Sequence, residues 1–121
     1  MPGCTESLTV QVRAGLGEWR LHAAVRALAA RHPELAGATS SARHVGHHDL
    51  SRQTSLALVA AESRAAALQV VWLDGGAEGR LVLVARKEVL AALPWHVLLP
   101  ELVAEWKAAT LRDLPRAASV G

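Results

Sequence analysis

The chain contains no isoleucine, phenylalanine, tyrosine or asparagine, and tryptophan is its only aromatic residue, at Trp19, Trp72, Trp95 and Trp106. Its 13 Lys and Arg are spread along the chain against 11 Asp and Glu, for a net charge of only +2. Neither a basic stripe nor a row of stacking rings is present, which argues against nucleic acid as a partner. The single cysteine, Cys4, excludes an internal disulfide and a cysteine-cluster metal site. So close to the N-terminus it reads as a free thiol. No apolar run approaches the roughly 20 residues that span a membrane. Residues 1–6 lack the basic start and apolar core of a signal peptide. The expectation is a soluble, cytoplasmic protein with no membrane partner.

What is present is aliphatic. Of 121 residues, 24 are Ala, 19 Leu and 13 Val, and 51% are hydrophobic. That is enough to bury the core of one small domain. Leu8, Val10 and Val12 alternate with Thr9, Gln11 and Arg13, which predicts a strand with one buried face. Leu21, Val25 and Leu28 recur at helical spacing over residues 18–31, with Ala24 on the same side. Pro33 ends that helix, because the residue before a proline avoids the α region. Residues 35–48 read as loop, with a short extended piece possible around Ala42–Val45. Asp49 is placed as the N-cap of a second helix over residues 50–66, with Leu56, Val59 and Ser63 along one side. Residues 67–73 and 81–85 read as strands around the turn Asp74-Gly75-Gly76. The second of them, Leu-Val-Leu-Val-Ala, is apolar on both faces and belongs inside a sheet.

Pro94 suits the first position of a final helix. Trp95, Leu98, Leu99, Leu102, Val103 and Trp106 then follow helical spacing. Pro100 is expected to kink this helix or mark its true start. The order strand, helix, loop, helix, strand, strand, helix predicts an α+β fold, a small mixed or antiparallel sheet with helices over one face.

Few residues invite chemistry on spacing alone. His47-His48-Asp49 offers two imidazoles and a carboxylate, but neighbouring residues diverge while a metal needs three or four convergent ligands. The expectation is no metal and no cofactor. His96 is a boundary residue beside Trp95. His22 lies on the first helix and His32 at its C-terminal end. No glycine-rich phosphate loop and no nucleophile elbow is present.

One resemblance takes the reading further. The run Leu21-His-Ala-Ala-Val-Arg-Ala-Leu-Ala-Ala-Arg31-His32-Pro33-Glu34-Leu35 resembles the first helix of the condensation domains of nonribosomal peptide synthetases. Asp49-Leu50-Ser51 stands where that family often has Asp-Leu-Ser. Leu68–Leu73, a glycine turn and Arg80-Leu-Val-Leu-Val84 are similar to the family's hairpin before its active-site motif. Trp95-His-Val-Leu-Leu-Pro-Glu-Leu102 is similar to a helix common to epimerization domains and related condensation domains. The resemblance implies one lobe, the N-terminal one, of a two-lobed chloramphenicol acetyltransferase-like fold, spanning residues 1–113, with 114–121 as tail or linker.

The same resemblance exposes two departures. The family motif His-His-x-x-x-Asp-Gly aligns with Arg86, Lys87, then Ala91 and Ala92. A lysine with an ordinary pKa near 10 carries its proton at neutral pH and accepts no other. Ala91 supplies no carboxylate. Residues 36–48 also read as too short for the hairpin the family carries there, and the chain ends at Gly121. The resemblance therefore implies a truncated, non-catalytic structural or docking element, with an adjacent adenylation or carrier protein domain as partner. Trp95, Val97 and Trp106 are its candidate interaction residues. The alternative is a homo-oligomer building an acyl-transfer or epimerization site across its interface, with Lys87 or His96 as base.

Overall fold

The structure, a computed structural model, describes residues 5–13, 17–63, 66–76 and 78–120. Four strands form one mixed sheet: β1 (Thr5–Arg13), β2 (Thr39–His44), β3 (Leu68–Asp74) and β4 (Glu78–Arg86). Their order across the sheet is β1-β4-β3-β2. β4 lies between β1 and β3, antiparallel to both, with Leu8 opposite Leu83 and Val71 opposite Val82. Its doubly apolar sequence thus occupies the interior position that its composition demanded. β2 is an edge strand parallel to β3, with Ala42 beside Trp72.

Four helices complete the fold: α1 (Glu18–Arg31), α2 (Leu50–Glu62), α3 (Lys87–Ala92) and α4 (Trp95–Val120). Against expectation, they cover both faces of the sheet. On one face, α1, α3 and α4 bury Leu21, Leu28, Leu98 and Trp106 against Val70, Trp72, Leu81 and Leu83. On the other, α2 buries Leu50, Ala57 and Ala61 against Leu73, Val82 and Val84. The strand alternation explains this. Residues 81, 83 and 85 face one helical layer while 82 and 84 face the other, so an all-apolar strand needs a helix on each side.

Four local expectations are corrected. The extended piece near Ala42 is a full strand from Thr39, held by its ladder to β3. α2 presents its alanines inward, not Leu56 and Val59, which are 52% and 66% exposed. Asp49 precedes α2 but makes no side-chain cap hydrogen bond. In α4 the carbonyl of Pro94 accepts the N–H groups of Val97 and Leu98 at 2.9 Å, so the helix begins before Pro100 and runs through it.

Candidate functional site

The residues aligned above with the family motif sit where β4 ends. Arg86 is the last residue of β4 and its N–H donates to the Ala67 carbonyl at 3.2 Å. Lys87 opens α3, a single short helix anchored by buried Val89 and Leu90. Helical spacing then decides the rest. Residues 89 and 90 turn inward, so Lys87, Ala91 and Ala92 lie exposed.

A shallow cavity of about 340 Å³ lies beside this helix, lined by Glu34, Ala36, Ala67, Arg86, Glu88 and Val89. Of the motif positions only Arg86 reaches it, and its guanidinium lies 3.7 Å from the Glu88 carboxylate. His96, at the start of α4, is exposed and does not line the cavity. Among the described residues, the lining of this cavity contains no histidine.

The three candidate interaction residues separate. Trp106 is a core residue: it is buried and its ring stands edge-on to Trp72, with centroids 5.9 Å apart and planes at 82°. It offers nothing to a partner's surface, because α4 packs on α1 through this side. Trp95 is half-buried against the same core, and Val97 is on the exposed side of α4. The larger exposed apolar residues lie elsewhere, on α2 (Leu56, Val59) and on α1 (Trp19). The Arg26 guanidinium stands 5.8 Å from the Trp19 ring centroid.

Three histidines, His22, His32 and His44, stand beside acids. His48 and Asp49 are exposed in a short 3₁₀ turn, and among the described residues no group of three or more His, Cys, Asp or Glu is placed to hold a metal. Cys4 lies outside the described residues. His44 Nδ1 is 3.3 Å from Asp74. His32, at the end of α1, is 2.8 Å from Glu101 of α4. Arg31 donates to both Glu101 and Glu105, so the end of α1 is clamped to α4. The His32 hydrogen bond, then the His32 and Arg31 charges, hold the Glu101 carboxyl below its ordinary 4.5, against an opposing desolvation.

One polar chain escaped the sequence reading. His22 Nδ1 lies 2.5 Å from the Ser40 hydroxyl, and its Nε2 lies 3.1 Å from Glu18. The i, i+4 spacing of Glu18 and His22 was visible in the sequence, but Ser40 joins them only because β2 runs alongside α1. Next to this chain, Gly17, Glu18, Ala42, Arg43, His44, Trp72 and Asp74 line a cavity of about 230 Å³.

No protein-family model matches the chain, and no curated protein matches it either. Solved structures do. The epimerization domain from the third module of tyrocidine synthetase B is 11% identical with a TM-score of 0.73, over 88% of this chain and 29% of that one. The SgcC5 protein from Streptomyces globisporus is 20% identical with a TM-score of 0.67, over 88% of this chain and 30% of that one. The structure describing condensation domain-mediated chain release from the enacyloxin polyketide synthase is 14% identical with a TM-score of 0.56, over 84% of this chain and 26% of that one. The chain therefore spans about a third or less of the proteins it resembles. At these identities the likeness is one of fold: α+β, and the fold of part of a condensation or epimerization domain.

Proposed function

We propose that this chain acts in nonribosomal peptide biosynthesis as a non-catalytic structural or docking element with a partial condensation-type fold. The observation that supports this reading is the end of β4. The motif positions carry Arg86, Lys87, Ala91 and Ala92, and the last three are exposed on α3. The exposed apolar side chains Leu56, Val59, Trp19 and Val97 favour contact with another domain over catalysis. The partner in this reading is an adenylation or carrier protein domain of the same assembly line, and the site of action is the cytoplasm.

The test has two arms. The purified chain is offered an aminoacyl-loaded carrier protein and a donor, and amide formation and α-carbon inversion are followed by mass spectrometry and chiral analysis. Neither is expected above background. Titration with the purified carrier and adenylation domains is expected to show saturable binding to one of them. Turnover that is lost on Lys87→Ala would overturn the non-catalytic reading, and absence of binding to both domains would overturn docking.

A further inference from the structure

We propose that Ser40 is a nucleophilic serine, activated by His22 and Glu18, that accepts acyl groups from activated esters or thioesters. This site is separate from the end of β4: the non-catalytic reading above concerns condensation and epimerization at that end, and the docking reading stands or falls independently of Ser40.

The chemistry follows from which atoms face which. The Glu18 carboxylate is only an acceptor, so the His22 nitrogen facing it, Nε2 at 3.1 Å, is the one that carries the proton. That leaves Nδ1 with its lone pair toward the Ser40 hydroxyl, 2.5 Å away. Ser40 thus donates to a nitrogen able to take its proton, and the resulting imidazolium is held by Glu18. This is the serine, base and acid order of a hydrolase triad, with the two ring nitrogens exchanged. His22 and Ser40 are half-buried and Glu18 is exposed, so the chain is neither sealed from substrate nor fully washed by solvent.

Two neighbouring features suit an acyl group. Ser40 and Ala42 point to the same face of β2, about 7 Å apart along the strand. Ala42, Trp72 and Glu18 line the 230 Å³ cavity, so the residue that orients His22 also borders a space an acyl chain would fill. The edge position of β2 supplies the second feature. The Val45 N–H donates to Asp74 of β3. Alternation along a parallel ladder then turns the N–H groups of Ser40 and Ala42 to the open edge. The backbone N–H of the nucleophile's own residue is a recurrent oxyanion donor.

In the step itself the Ser40 oxygen bonds to the acyl carbon while its proton passes to His22 Nδ1. The bond from that carbon to the leaving oxygen or sulfur breaks with its electron pair, and the leaving group takes the proton from His22. Water then cleaves the acyl-serine by the same route in reverse.

The test uses p-nitrophenyl acetate on the whole chain, with p-nitrophenolate release followed by absorbance and the adduct located by peptide mapping. The acetyl group is expected on Ser40 and not on Ser41, Ser51, Ser55 or Ser63. Ser40→Ala is expected to remove the adduct, and His22→Ala to slow its formation on the order of a hundredfold. His22→Gln separates basicity from structure. Its amide can still accept the Ser40 hydrogen bond, so the unfolding midpoint should stay near the parent's while acylation slows as in His22→Ala. No acetyl on Ser40, or a rate unchanged by either His22 substitution, would overturn the proposal.

Discussion

Trp72 shows how one side chain dictates its neighbours. Its ring lies in the α1/α4 layer and meets Trp106 edge-on. Room for it comes from the neighbouring strand β4, two residues along from its partner Leu81. A Cβ on Gly79 would fall 2.9 Å from the Trp72 indole nitrogen and 3.0 Å from the Leu73 carbonyl. Glycine is required here by close approach, not by backbone angle. Gly79→Ala is therefore expected to force the ring or the β3–β4 ladder apart, at a cost of about 1–3 kcal/mol. Urea denaturation reads this as a lower midpoint with an unchanged slope. A parent-like midpoint would show that the ring turns aside freely. At the same scale, Lys87→His with Ala91→Asp recreates two motif side chains one helical turn apart, both on the exposed side of α3. The pair is expected to leave condensation activity at background, measured with loaded carrier protein, because nothing on that face positions a substrate.

The helices explain why some elements were legible in the sequence and others were not. β1 and α1 follow from periodicity, and β3 and β4 from apolar runs on either side of a glycine turn. β2 does not. Thr39-Ser-Ser-Ala-Arg-His44 has a weak pattern, and it is a strand only through its partner β3. The helical period of α2 was read correctly, but its direction was not. The side that carries Leu56, Val59 and Ser63 faces outward. The sheet takes Ala57 and Ala61 instead, since small residues let the helix settle onto Val82 and Val84. The buried Gln69 amide, which donates to the Ala61 carbonyl at 2.6 Å, holds the end of α2 down. α3, at six residues, is too short to show a period. The candidate sites divide the same way. The positions aligned with the family motif, 86–92, are contiguous in sequence, whereas the Glu18, His22, Ser40 chain needs the unread strand.

The contact of α1 with α4 carries a pH dependence whose sign is fixed. Glu101 has a depressed pKa in the folded protein, through the His32 hydrogen bond first and then the His32 and Arg31 charges. A carboxylate of this kind adds stability above its ordinary 4.5, and that stability is lost as pH falls through the lower folded value. Thermal unfolding of the parent should therefore weaken on acidification below 4.5. In Glu101→Gln the part of that fall due to this residue should vanish, while the midpoint at neutral pH drops modestly. Equal acid sensitivity in parent and variant would remove Glu101 as the cause.

At the scale of the whole molecule, the sheet carries a helix layer on each face, and the two layers differ in how completely they are used. The α1/α4 layer encloses two tryptophans and most of the large aliphatics. The α2 layer is thin, because one helix of small inward residues covers β3 and β4 and leaves its larger side chains outside. Leu56 and Val59 lie three positions apart, hence side by side on the outer surface. Their side chains add nothing to the core, so large apolar groups at these positions are explained by contact with another surface or by nothing in the fold. Leu56→Asp with Val59→Asp separates these. Exposed substitutions away from packing change stability by less than about 0.5 kcal/mol, so the unfolding midpoint should stay within error of the parent. Binding to the carrier or adenylation domain should fall at least tenfold in titration calorimetry, since two desolvated aliphatic contacts are exchanged for two charges that resist burial. Unchanged affinity with an unchanged midpoint would take docking away from α2 and leave Trp19, Val97 and Val103 as the exposed anchors among the described residues. A large loss of stability would instead mean that Leu56 and Val59 belong to this chain's own core, contrary to the packing of α2 on Ala57 and Ala61.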